Sequence, residues 1–165
     1  MDIVDENDVV IGRSSIHKVQ SEGRRHRIVR ISLEDPAGNV LIQRRQDHKE
    51  LYPGRWDSAA AGHVDTGETY QIAAERELKE ELGVVTQLHK VKYYPSEGKF
   101  GWRILKRFNT LYKGLISRDT TFELQTDEVA EVRWVSVAEL RDLVVNHPDS
   151  LADGLIEVYE SMYTS

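Results

Sequence analysis

The chain reads as short apolar runs cut by turn signals, with one amphipathic segment of helical period near its middle. Between His26 and Glu34, Val29, Ile31 and Leu33 alternate with Ile28, Arg30 and Ser32. That pattern is too apolar on both sides for an edge and predicts a well-buried strand. Asp35-Pro36-Ala37-Gly38-Asn39 follows as a turn, because proline presets one backbone angle and glycine or asparagine accepts a positive φ. Val40 to Arg45 then returns as a second strand. Upstream, DIVDENDVVIG (residues 2 to 12) sets two β-branched runs about Glu6-Asn7-Asp8 and predicts a small hairpin. Ser14-Ser15 can cap a short helix running to about Gln20 and stopped by Gly23.

Downstream, the segment Gln46 to Arg55 is a loop broken most strongly at Pro53-Gly54. Trp56 to Val64 reads as a strand rich in alanine, whose small side chains let a helix or ligand approach its backbone. Thr69 or Thr66 caps a helix to about Leu82, with Gly83 as its stop. Gln87 to Tyr94 and Phe100 to Tyr112 are expected as two long strands joined by Pro95-Ser96-Glu97-Gly98. Glu131 to Val135 is another strand, Ser136 opens a helix over Val137 to Val145, and Leu151 to Met162 forms a terminal helix. Strands, a helix, strands again and then helices make one α/β sandwich with a mixed sheet.

Composition narrows the class. At 165 residues the chain has the length of one domain, and 39% hydrophobic with 30% charged residues is the balance of a soluble globular protein. No run is long enough to span a membrane, and the acidic opening lacks the basic patch and apolar segment of a signal peptide, so a cytoplasmic protein is expected. The absence of cysteine excludes disulfides, thiolate metal sites and cysteine nucleophiles. A net charge of -6 argues against a protein that coats nucleic acid, although a bound cation can still bring in a phosphate-containing small molecule.

The candidate chemistry lies in GHVDTGETYQIAAERELKEELGV, residues 62 to 84. On a helix wheel of about 100° per residue, Glu77, Glu80 and Glu81 share an arc of about that width. Ala74, Leu78 and Leu82 fill the neighbouring arc, so the acids border the buried face, where an ordinary amphipathic helix would set them opposite it. Ala73 leaves room within the acidic arc, and Arg76 can pair with one of the carboxylates and hold its rotamer. Repulsion among three close carboxylates is offset by a hard cation, of which Mg²⁺ is favoured because one or two carboxylates, waters and substrate phosphates suffice to bind it.

The full spacing, Gly62, Glu68, Arg76-Glu77-Leu78, Glu80-Glu81 and Gly83-Val84, resembles the signature of the Nudix hydrolase family. The resemblance implies an α/β/α sandwich and Mg²⁺- or Mn²⁺-dependent cleavage of a diphosphate joined to another group, commonly a nucleoside. Carried over position by position, Glu77 and Glu81 are the principal metal ligands, Glu80 is an additional one, and Gly62 offers its carbonyl. Arg76 and Glu68 orient the acids. The chemical step also needs a general base, for which Glu77 in the motif and Glu128 in a later loop are candidates.

Outside the motif, the opening hairpin, the His26 strand, Arg44-Arg45, Lys49, Pro53-Gly54-Arg55-Trp56 and Ala61-Gly62-His63 resemble the Nudix subgroup related to isopentenyl diphosphate isomerase. By that resemblance Arg45 and Lys49 hold the substrate diphosphate, while Arg44 points to the other face. His63 is then a polar neighbour of the cleft. Two departures separate this chain from the isomerase: the cysteine position is Ala61, and the paired glutamates of a later strand are Leu105 and Arg107 in an ungapped alignment. His17, His26 and His63 fall near the isomerase's histidine metal ligands but lack those acidic partners. Trp56 and Trp134 are expected in the core, and Tyr52, Tyr94, Phe100 and Trp102 beside the cleft.

The expectation is therefore a single Nudix domain over residues 1–165, with an N-terminal hairpin extension over 1–25, that hydrolyses a small-molecule diphosphate. An isomerase-like prenyl diphosphate enzyme and a catalytically silent nucleotide-binding regulator are the alternatives. A homodimer is the commonest form among soluble oligomers.

Overall fold

A computed structural model describes residues 1–164. Strands β1 (Asp2–Val4) and β2 (Val10–Arg13) make a separate two-stranded sheet, followed by helix α1 (Ile16–Ser21) with Ser15 as its cap. The main sheet has seven strands: β3 (His26–Glu34), β4 (Val40–Arg45), β5 (Trp56–Asp57), β6 (Ala60–His63), β7 (Leu88–Phe100), β8 (Arg103–Leu115) and β9 (Val129–Val135). Helix α2 (Tyr70–Leu82) lies between β6 and β7, while α3 (Val137–Asn146) and α4 (Asp153–Met162) close the chain.

The sheet is mixed. β3 runs parallel to β8 along its whole length, from His26 opposite Arg107 to Glu34 opposite Leu115. Its other edge is shared: Leu33 and Glu34 pair with β4, while Ile28 to Ile31 pair with β6. β4 in turn pairs with β5 at Gln43 and Arg44 and with β9 along Val40 to Arg45. β3 and β4 thus touch at one end and part at the other, and the short strands β5 and β6 line the split. This opening positions the site.

Two apolar layers sandwich the sheet. Val29, Ile31 and Leu33 of β3 pack with Ala73, Ala74, Leu78 and Leu82 of α2. On the far side, Val40, Ile42 and Val135 pack with Leu140 of α3 and Leu155 and Tyr159 of α4. Fully burying each such aliphatic side chain contributes about 1.5–3 kcal/mol, so these clusters drive the α/β/α layering. Trp134 and Trp56 are partly buried and lean on the first and second cluster respectively.

Three expectations are corrected. Pro95 to Gly98 is no turn: β7 continues through it to Phe100, and the reversal occurs at Gly101-Trp102, where Gly101 adopts φ 57°. β7 is an edge strand, so Pro95 costs no ladder bond on its open side. Trp56 to Val64 is two strands with different partners, because the sheet divides there. The last helix begins at Asp153, after a single 3₁₀ turn at Pro148–Ser150, since Ala152 donates its backbone N–H to the Trp56 carbonyl at 2.8 Å and Leu151 bridges to Trp56. Among the described residues no helix is long and apolar enough to cross a membrane.

Candidate active site

Helix α2 begins where the Thr69 hydroxyl accepts from Ile72 N–H, and ends at Gly83 in the left-handed region at φ 69°. Between these caps its buried residues are Ala73, Ala74, Leu78, Glu81 and Leu82. A carboxylate is therefore part of the buried stripe. Glu81 is only 7% exposed and accepts a hydrogen bond from Gln43 Nε2, which also donates to the Ala59 carbonyl at 3.0 Å. Burial raises its pKa well above the ordinary carboxylate value, and the neighbouring charges of Glu77, Asp57 and Glu128 push the same way.

Glu77 lies one turn earlier, against the backbone of Gly62 on β6. A Cβ built on Gly62 would fall 2.1 Å from the Glu77 carboxyl carbon, so glycine here makes room for the acid. Burial also raises the Glu77 pKa, opposed by its hydrogen bond from Arg76.

Arg76 is the hub of the loop–helix junction. Its Nε and Nη2 fork onto Glu68 at 2.7 and 2.9 Å, Nη1 reaches Glu77 at 2.7 Å and Glu80 at 3.3 Å, and Nη2 also donates to the His63 carbonyl at 3.0 Å. The guanidinium holds Glu68 below the usual carboxylate range.

These groups line a cavity of about 370 Å³ in the split between β3 and β4. Of the residues singled out from the sequence, Arg45, Lys49, Gly62, His63, Glu77, Glu80, Glu81 and Glu128 all line it. Glu68 and Arg76 stand behind its acidic wall. Arg45 is held by the Leu51 carbonyl at 2.9 Å and by Asp57 at 3.6 Å, and Lys49 pairs with Glu128 at 2.5 Å. Arg44, as expected from alternation, faces away and pairs with Asp47 and Glu131.

The three histidines do not cluster. His26 and His63 are neighbours, with ring centroids 5.4 Å apart, but His17 packs against Trp102, its ring centroid 4.6 Å away. Arg107 of β8 stands opposite His26 in the ladder, where the resemblance to the isomerase calls for an acidic partner. Desolvation, with Arg107 nearby, lowers His63 to about 3 and His26 to about 4, so both are neutral at pH 7. Of the aromatic candidates, Tyr52 lines the cavity and Trp102 an adjoining open groove. Phe100 packs against Tyr52 with the rings tilted by 55°, and Tyr94 donates its hydroxyl to Glu157.

Among the described residues no three His, Asp or Glu side chains are gathered closely enough to hold an ion unaided. Mg²⁺ or Mn²⁺ does not require that, because such ions keep several waters and take substrate phosphates as ligands. The donors on this wall are carboxylate oxygens, those of Glu77 and Glu81 with raised proton affinity, and the Gly62 backbone is bare beside Glu77. That chemistry fits a hard divalent cation.

Several cavity residues had no sequence signal strong enough to name them. Arg30, 2% exposed, hydrogen-bonds to Asn109 and faces Asp153 and Glu157 of α4. Asp57 and Asp153 arrive from β5 and α4, and Gln20 from α1. A charged residue inside a doubly apolar strand was the one available hint, and Arg30 carried it.

The family model described as NUDIX domain matches residues 24–156. An uncharacterized Nudix hydrolase of Yersinia pestis is 36% identical over 143 residues, covering 85% of this chain and 74% of that protein. A Nocardia farcinica protein named isopentenyl-diphosphate Delta-isomerase is 32% identical over 164 residues, covering 97% and 92%. A crystal structure from Deinococcus radiodurans superposes with a TM-score of 0.81 at 25% identity, over 99% of this chain and 98% of its own.

Proposed function

The chain belongs to the Nudix family and is a Nudix hydrolase, and on that premise we propose that it hydrolyses a diphosphate linkage in a small nucleoside diphosphate derivative, using Mg²⁺ or Mn²⁺. The observation that most supports this reading is the pairing of opposites within one cavity: an acidic wall of Glu77, Glu80 and Glu81 with the cationic pair Arg45 and Lys49. Glu77, Glu81, Glu80 and the Gly62 carbonyl would hold the cation, which supplies charge neutralisation and water activation when bound.

Arg45 and Lys49 bind the diphosphate oxygens in this reading. Arg76 positions Glu77 and Glu80, and Glu68 fixes Arg76. Glu128 is the candidate base from the later loop: its carboxylate is paired with Lys49, and a diphosphate that draws the Lys49 charge to itself leaves Glu128 freer to accept a proton from the attacking water. Glu77 is the alternative base from the motif helix.

A second reading follows from the isomerase-named relative. Ala61 lines the cavity at the position of the isomerase's cysteine, and a methyl group cannot deliver a proton to an alkene. Phosphorus NMR separates the two. Incubated with Mg²⁺ and a panel of nucleoside diphosphates, nucleotide sugars, dinucleotides and isopentenyl diphosphate, the wild type is expected to cleave a diphosphate, and Glu81→Gln to lose that activity. Alkene rearrangement without phosphate release would overturn the hydrolase reading, and tight nucleotide binding without turnover would favour a regulator.

A further inference from the structure

The cavity carries a second set of buried polar residues besides its acidic wall. Among the described residues only four buried side-chain polar atoms lack a hydrogen-bond partner, and three of them, His26 Nε2, Arg30 Nη2 and Arg107 Nε, belong to residues lining this one cavity. These residues are 1%, 2% and 3% exposed, so bulk water does not satisfy them. Buried polar groups are almost always paired, and three orphans on adjacent parallel strands mark a place made for a ligand's polar atoms. Alternation puts His26 and Arg30 on the same face of β3, and Arg107 lies opposite His26 on β8.

The hydrogen-bonding sense of the group can be read. His26 Nδ1 lies 3.2 Å from the Arg24 carbonyl, which only accepts, so Nδ1 carries the hydrogen and Nε2 is left as an acceptor. Both arginine atoms are donors. The charges, by contrast, are already matched. Arg107 reaches Asp153 at 2.5 Å and Glu157 at 3.8 Å, and Arg30 reaches Glu157 at 3.3 Å and Asp153 at 3.7 Å. Two guanidinium groups facing two carboxylates leave no surplus positive charge for another anion. A hydrocarbon chain seated here would leave all three atoms unsatisfied.

We propose that Arg107, Arg30 and His26 form the specificity subsite, which takes an uncharged, hydrogen-bonding group carried beyond the diphosphate and discriminates against prenyl chains. A nucleobase edge and sugar hydroxyls share that chemistry, since each offers acceptors beside a donor. The assignment rests on reading the acidic wall of the cavity as the diphosphate site.

Binding of monophosphates tests the subsite without requiring turnover. The wild type, Arg107→Lys and His26→Phe are titrated calorimetrically with the nucleoside monophosphates, glucose 1-phosphate, isopentenyl monophosphate and inorganic phosphate in the presence of Mg²⁺. Arg107→Lys keeps the charge facing Asp153 and Glu157 while deleting the Nε donor, and thermal melts verify that each variant is folded. A nucleotide or the sugar phosphate is expected to bind the wild type at least about tenfold more tightly than isopentenyl phosphate, and each variant is expected to lose most of that advantage with inorganic phosphate binding unchanged. Which of the two polar ligands prevails tells base from sugar. Equal affinity for polar and prenyl ligands, or an unchanged ratio in folded variants, overturns the proposal. A wild type that keeps the preference but cleaves no diphosphate in the turnover assay counts against the hydrolase reading and supports the subsite alone.

Discussion

Replacing Arg76 by methionine removes the group that ties the loop after β6 to helix α2. The side chain is 23% exposed, and its principal partners Glu68 and Glu77 are 17% and 14% exposed. Truncating one member of a fully buried ion pair costs about 3–5 kcal/mol, because the partner charge is left unpaired. Exposed pairs are worth only about 0–1 kcal/mol. With this degree of burial and a bidentate fork onto Glu68, an intermediate loss of about 3 kcal/mol is expected. For a chain of this size that corresponds to a fall in Tm of about 6–12 °C. Arg76→Lys keeps the charge but cannot span both Glu68 oxygens and Glu77 together, so it should lose about half as much. Lys79→Met, an exposed change on the same helix, should stay within about 0.5 kcal/mol of the wild type. Urea unfolding of the three variants in the absence of divalent ions gives the comparison. The reasoning is refuted if Arg76→Met is no more destabilised than Lys79→Met, or if lysine and methionine at position 76 behave alike.

Four further outcomes follow from the same geometry. Gly62→Ala places a methyl where the Glu77 carboxylate lies, so activity should fall by at least about two orders of magnitude, as expected for a misplaced reacting group, and Glu77→Gln should impair metal dependence far more than the exposed Glu75→Gln; equal effects would sink the assignment of the acidic face. Gly154→Ala, which in an ordinary helix stabilises by up to about 1 kcal/mol, should here destabilise by about 1–3 kcal/mol in chemical denaturation, because its Cβ would fall 1.8 Å from Arg30 Nη1. His26 is held at about 4 by burial against an ordinary 6.5; stability from keeping it neutral is complete above pH 6.5 and is lost as pH falls toward 4, a total of about 3 kcal/mol, so His26→Phe should flatten the acid limb of the stability profile by that amount and superimposable profiles would refute its burial as neutral imidazole.

The pattern of agreement has a physical basis. Helix α2 was legible because everything that defines it is local: Thr69 and Gly83 at its ends, apolar residues at helical spacing, and acids beside that stripe. The placement of Glu81 within the core face follows from the same 3.6-residue period. The turn misassigned at Pro95 to Gly98 shows the converse. Proline and glycine are strong local punctuation, yet a thirteen-residue edge strand absorbs both because its partner β8 satisfies one side and solvent the other.

The sequence by itself determined the α/β class and the motif helix with its carboxylate face, since short-range spacing and alternation suffice for each, whereas Arg45 and Lys49 are singled out only through the resemblance to the isomerase-related subgroup. Only the tertiary structure decided which further residues the cavity gathers. His26 and Arg30 come from β3, Arg107 from β8, Asp57 from β5 and Asp153 from α4. Their meeting depends on a parallel register and a divided sheet, which are set by long-range packing of two apolar layers and leave no periodic trace along the chain.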